Sequence, residues 1–267
     1  MQALRLSEIW IYPIKSLGGI RLKQANVYEK GLQYDRRWML VDDSGKFLTQ
    51  RVHPEMALFK VSIAGEALVV THTPTQQSHS IPLQPEQHHE NQPVTIWDDT
   101  VLAYEVNEAT SQWFTQLLGI RCKLVYFPEA NDRAVDRRYA TTEHVSLADG
   151  YPFLIIGQAS LDDLNSKLEK AVPMNRFRPN FVFTGGNAFE EDNWKAFSIG
   201  ANRFLGVKPC SRCVLITVNQ DNAQKSDEPL RTLATYRKRD NKIYFGQNLL
   251  AVDHTVVSEG DLISLTT

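Results

Sequence analysis

The first hundred or so residues are cut into short runs of β-branched and aromatic residues, and this limits the fold more than any other feature. "SEIWIYPIKS", "RRWMLVDDSGKFLTQ" and "LFKVSIAGEALVVTH" each hold strand-type residues, and Asp-Ser-Gly and Ala-Gly-Glu interrupt them where a chain reverses. Antiparallel hairpins are expected. The stretch "THTPTQQSHSIPLQPEQHHENQP" then breaks the pattern with Gln, Pro and His, which predicts a long exposed loop carrying His72, His79, His88 and His89. "VTIWDDTVLAYEV" restores the strand pattern as a further hairpin that turns at Asp98 and Asp99.

Helical periodicity is confined to a few places. In "NEATSQWFTQLLG", Trp113, Phe114, Leu117 and Leu118 share a face and Gly119 supplies the stop. Ser160 is expected to cap "SLDDLNSKLEK", with Asp163 completing the S-x-x-D box and Leu161, Leu164 and Leu168 forming the buried stripe. Strands are expected at "NFVFTG", "VLITV" and "DLISLT", and a short helix at "PLRTLATYR". The class is therefore α+β and predominantly β, with the strands curled into barrels.

With 42% hydrophobic residues, a chain of 267 residues can bury one large core or two modest ones. Its 29 basic and 31 acidic side chains leave a net charge of -2, so nothing draws the whole surface to nucleic acid or an acidic membrane. Any anion site must be local. Three cysteines are too few and too odd a set for a secreted disulfide framework, and "MQALRLSEIWIYPIKS" lacks the apolar core of a signal peptide. A reducing, cytoplasmic location is expected.

Two of those cysteines, Cys210 and Cys213, stand together in "VKPCSRCVLITV". Structural zinc needs four ligands, and Cys122 in "IRCKLVYF", expected to be a buried strand residue, is the one other cysteine. A redox dithiol belongs at the start of a helix, whereas the residues after this pair read as a strand. Two ordinary cysteines at a strand entrance remain an alternative. What sets the pair apart is its company: Arg212 lies between the cysteines, Arg178 precedes a strand in "FRPN", and Arg36 precedes another in "YDRRW". Guanidinium forks at strand boundaries suit one polyanion, because arginine stays charged when desolvated and binds phosphate through two parallel hydrogen bonds. Arg133, Arg137 and Arg138 in "NDRAVDRRYA" read as an exposed basic loop or the lining of a substrate mouth.

Taken in order, "YPIKS", "YDRRWMLV", "ADGYPFLI", "FRPNFVFTG", "KPCSRCVLITV" and "FGQNL" resemble the MOSC-domain molybdenum proteins, of the bacterial YcbX type and the mitochondrial amidoxime reducing component. The resemblance runs from about Leu4 to about Ile263. It implies an N-terminal MOSC β-domain over residues 1–122 packed with a MOSC β-barrel carrying peripheral helices over 123–267, the boundary being approximate. It also implies the molybdenum cofactor, a molybdopterin whose metal takes a protein thiolate from Cys213, with Cys210 as a neighbour. Lys15, Ser16, Arg36, Arg178, Ser211, Arg212 and Asn248 match residues that contact the cofactor, and Asp149 matches an acid near the metal. By its surroundings alone Asp149 also fits an Asp-Gly turn before a buried strand.

The activity this implies is reduction of N-hydroxylated compounds, such as hydroxylamino purines, amidoximes and hydroxylamines. Related bacterial chains continue into a ferredoxin-like segment with an iron–sulfur cluster. No cysteine follows Cys213 here, so a separate iron–sulfur or flavin protein is the expected electron donor. The alternative function is a non-catalytic carrier of persulfide sulfur or of the cofactor itself.

Overall fold

The computed structural model describes residues 3–266. Its largest sheet has nine strands, and eight of them lie in the spatial order Ile263–Leu265, Ala196–Ile199, Asn202–Arg212, Lys242–Ala251, Phe153–Gly157, Phe181–Thr184, Arg5–Ile11 and Ile20–Leu22. Neighbours are antiparallel except Phe153–Gly157 and Phe181–Thr184, which are parallel and joined through the helix Gln158–Asn165. An antiparallel bridge between Arg5 and Leu262, with Ile263 N donating to Leu4 O at 3.0 Å, ties the Arg5–Ile11 strand back to the far edge. The sheet therefore curls into a barrel filled by Leu6, Ile9, Phe153, Phe181, Phe204 and Leu249. Among the described residues there are three α-helices: α1 (Glu108–Leu118), α2 (Gln158–Asn165) and α3 (Leu230–Tyr236).

A second core gathers Trp38, Leu40, Phe59, Leu68, Ile81, Phe114 and Leu124. Its walls are a four-stranded sheet (Trp38–Val41, Lys123–Tyr126, Asp99–Glu105, Gln92–Ile96) and a three-stranded one (Phe59–Ala64, Ala67–His72, Gln77–Pro82). Helix α1 closes it, capped by the Asn107 side chain and ended by Gly119 at φ 66°, a left-handed stop that glycine takes without strain. The strands interleave the two halves of the sequence, since Arg5–Ile11 joins the barrel and Lys123–Tyr126 pairs with Trp38–Val41.

Four local expectations change. "VLITV" is not a strand: the Asn202–Arg212 strand runs through Cys210 and ends before Cys213, and Val214–Thr217 forms a single 3-10 turn. The cysteines thus mark a strand exit, where Ile216 and Thr217 are buried by tertiary packing that overrides β propensity. Helix α2 starts before Ser160, with Gly157 at its cap, and the Ser160 hydroxyl instead donates to the buried Glu191 carboxylate at 2.8 Å. The expected long loop contains the strand Gln77–Pro82, whose Ile81 is buried; His72 and His79 belong to strands, and His79 stacks on Trp113 at 5.3 Å. Cys122 is buried as expected, one residue ahead of its strand.

Candidate functional site

Where the two cores meet, a cleft of about 180 Å³ opens to solvent. Lys15, Ser16, Arg36, Asp149, Arg178, Ser211, Arg212, Cys213 and Asn248 all line it, together with Cys210 and Arg51. These residues come from seven separate chain segments. Three of them, Ser16 (φ 67°), Arg36 (φ 51°) and Arg178 (φ 55°), hold the left-handed backbone that residues with a Cβ adopt only at a cost of about 1–3 kcal/mol. Neighbouring groups fix these turns: Arg36 N donates to Tyr12 O at 3.0 Å, Gln50 Nε2 donates to Ser16 O at 2.7 Å, and Arg36 Nη2 donates to Arg178 O at 3.2 Å.

The arginines differ in how their charge is met. Arg36 donates from Nη1 to the fully buried Asp35 carboxylate at 2.6 Å, so its charge is already balanced. Arg178 donates to Leu17 O at 2.7 Å, and Arg212 donates to Phe177 O at 2.6 Å and to Cys210 Sγ at 3.1 Å. Among the described residues their partners are carbonyls and a thiol, with no carboxylate in contact, and Arg212 Nε is buried without a hydrogen bond. The guanidinium groups of Arg36 and Arg178 lie 4.3 and 4.1 Å from the Tyr12 ring centroid, which stabilises two cations in one place. Burial pushes the Arg178 pKa down to about 10, with nearby Arg36 adding to the effect and Tyr12 opposing it. An anion in this cavity would relieve that desolvation.

At the other side of the cavity, Lys15 Nζ donates to Asp149 Oδ1 at 2.6 Å and to Leu147 O at 2.8 Å. Burial lowers the Lys15 pKa to about 8 although Asp149 opposes the change, and Arg133 and Arg51 lower it further. Asp149 has 60% of its side chain open to the cavity, while protein encloses its other sides. That enclosure opposes ionisation, but Lys15 and Arg51 outweigh it and hold the carboxyl below the usual carboxylate range. Asp149 is therefore ionised at neutral pH.

Two contributors carried no legible motif. Arg51 donates from Nε to Cys213 Sγ at 3.1 Å and from Nη2 to Asp149 Oδ2 at 3.2 Å, and it lies 4.2 Å from the Trp97 ring. Burial opposes the Arg51 charge, yet Asp149 and Cys213 together raise its pKa above the ordinary value. Trp97 Nε1 also donates to Asp149 Oδ1 at 3.2 Å. Arg133, expected in an exposed basic loop, is buried: it donates to Ser146 O, Ala148 O and Asp149 O and pairs with Asp99. It braces the segment that presents Asp149, whereas Arg137 and Arg138 are exposed.

The donor set fits a phosphate-bearing cofactor whose metal takes one protein thiolate. Two arginines without carboxylate partners face the cavity, and a half-buried free thiol at Cys213 stands beside a cation. Among the described residues, no group of three or more His, Cys, Asp or Glu is placed to hold a metal.

Comparison with known proteins agrees. The MOSC N-terminal beta barrel domain matches residues 3–121, and the MOSC domain matches residues 142–264. Mitochondrial amidoxime-reducing component 1 of Homo sapiens is 31% identical over 97% of this chain and 82% of its own. Mitochondrial amidoxime reducing component 2 of Bos taurus is 31% identical over 96% of this chain and 80% of its own. Molybdenum cofactor sulfurase of Oryza sativa subsp. japonica is 31% identical over 97% of this chain but only 33% of its own length. The chain belongs to the MOSC-domain family, with the MOSC N-terminal barrel and the MOSC domain in one polypeptide.

Proposed function

We propose that this protein is a molybdenum-cofactor oxidoreductase that reduces N-hydroxylated compounds to amines, using electrons from a separate iron–sulfur or flavin protein. The observation that carries the reading is the placement of Cys213 Sγ in the cleft, within reach of Arg51 and thereby of Asp149, together with the arginines without carboxylate partners. When bound, the cofactor supplies the two-electron reduction of the N–O bond. Arg178 and Arg212 hold its phosphate end, with Lys15, Ser16, Arg36, Ser211 and Asn248 around it, and Cys213 offers the thiolate. Reduction also consumes two protons as water leaves. Lys15, with a pKa of about 8, remains mostly protonated at neutral pH and, anchored at the cleft by the ionised Asp149, is placed to supply a proton there.

The test is turnover: cofactor-loaded protein with a competent electron donor should convert a hydroxylamino purine or an amidoxime to its amine. Failure on every N-hydroxylated substrate would overturn the reductase reading. A second reading, a carrier of persulfide sulfur, draws on Cys213 being a free thiol that is partly open to solvent.

A further inference from the structure

"YDRRW" contains two arginines, and only Arg36 reaches the cleft; the second, Arg37, lines a separate cavity of about 480 Å³. Arg36 closes the turn ahead of the Trp38–Val41 strand with a left-handed backbone, and from there the two arginines enter different cavities. Arg37 is only 3% exposed. Its Nη1 and Nη2 are buried without an aligned hydrogen bond, although Nη2 lies 2.8 Å from Glu129 Oε2. A guanidinium can donate five hydrogen bonds, and leaving its terminal nitrogens unmet in a buried place is costly.

Four tyrosines, Tyr28, Tyr34, Tyr104 and Tyr126, line the cavity with Arg37, and Leu83, Pro85 and the amides of Gln33 and Gln84 are also in its wall. Tyr104 and Tyr126 face each other across paired strands with centroids 5.5 Å apart, and the Tyr104 hydroxyl is fixed by donating to Pro85 O at 2.7 Å. Glu129 stands at the opening with 61% of its side chain exposed, while Lys30 holds its backbone carbonyl. Its carboxylate can therefore leave Arg37 without the backbone moving.

We propose that this cavity is a binding site for a small aromatic carboxylate, whose carboxylate displaces Glu129 from Arg37 and whose ring lies among the tyrosines. A flat monoanion matches the two adjacent unmet nitrogens of one guanidinium, and Glu129 already shows a carboxylate at that position. A phosphate dianion would find a single cation here and a nearby carboxylate. The volume lies within the ~300–1,000 Å³ range of small-ligand pockets.

The test is calorimetric titration of the cofactor-free full-length protein with benzoate, against benzamide, acetate and phenyl phosphate. Benzoate should bind, with benzamide, which lacks the charge, and acetate, which lacks the ring, each at least about tenfold weaker. Glu129→Gln, an exposed change that leaves the fold intact, should tighten benzoate roughly two- to fivefold by removing the competing carboxylate. Arg37→Gln should abolish binding, and Arg178→Gln, in the other cavity, should leave it unchanged. Absence of benzoate binding, equal affinity in the Glu129→Gln variant, tighter binding of phenyl phosphate, or loss of binding in Arg178→Gln would each overturn the proposal.

Discussion

Replacing Lys15 with methionine should make the cofactor-free protein more stable while reducing its hold on the cofactor. The ammonium is 7% exposed, and burial brings its pKa from 10.5 to about 8 even with Asp149 at 2.6 Å. At ~1.4 kcal/mol for each tenfold change in proton affinity, that difference makes the buried charge cost about 3 kcal/mol. Methionine fills much of the same space without the charge. Asp149 loses its nearest cation but keeps Arg51 at 3.2 Å and its opening to the cleft, so the net gain should be about 1–3 kcal/mol. Below pH 8 lysine is charged in both folded and unfolded chains, and the folded parent bears the whole cost. Between about pH 8 and 10.5 the folded chain gives up its proton first, so the parent gains relative stability as pH rises. The advantage of Lys15→Met should therefore be largest near neutral pH and vanish near pH 10.5. Urea unfolding of both cofactor-free proteins across that range measures it. A variant less stable than the parent at neutral pH, or an advantage independent of pH, would refute the reasoning.

Arg178→Ala and Arg212→Ala should each lower cofactor content more than they lower the melting temperature of cofactor-free protein, because each removes a charge-assisted phosphate contact worth ~1.5–3 kcal/mol; equal cofactor content would show that these arginines serve the fold alone. Arg133→Ala leaves the carbonyls of Ser146, Ala148 and Asp149 unmet and should cost about 3 kcal/mol or more in urea unfolding, with faster proteolysis within residues 129–150. Little change in either would show that this segment is held by other contacts. Cys213→Ala should abolish reductase activity while Cys210→Ala, whose thiol accepts from Arg212, keeps much of it; the reverse pattern would exchange the two roles. The isolated chain should be inactive with NADH alone and active with a chemical reductant, since the sequence shows no nicotinamide-binding glycine fingerprint; robust turnover with NADH would contradict the need for a partner.

Much of this site was legible because its parts are short motifs at strand boundaries, and a strand boundary is where a side chain can leave the sheet and face a ligand. Arg36, Arg178 and Arg212 stand out that way, Lys15 and Asp149 follow from the family resemblance, and the structure brings all five to one cleft. Arg51 was not, since its partner Cys213 lies 162 residues further along and nothing in "LTQRV" foretells the contact. Arg133 was misread for a related reason: an Asp- and Arg-rich stretch resembles a solvated loop until three backbone carbonyls turn toward one of its arginines. Ser160 and "VLITV" show local preference yielding to tertiary demand. The serine serves a buried carboxylate in place of a helix end, and the β-branched run tightens into a turn beneath the cleft.

Metal and sulfur analysis of the protein, purified from a host that makes the cofactor, tests the central claim most directly. The account predicts molybdenum near one atom per chain, with molybdenum lost or its absorption altered when Cys213 becomes serine, a harder ligand of similar size. Sulfane sulfur on Cys213 without molybdenum would contradict it and establish the carrier in its place.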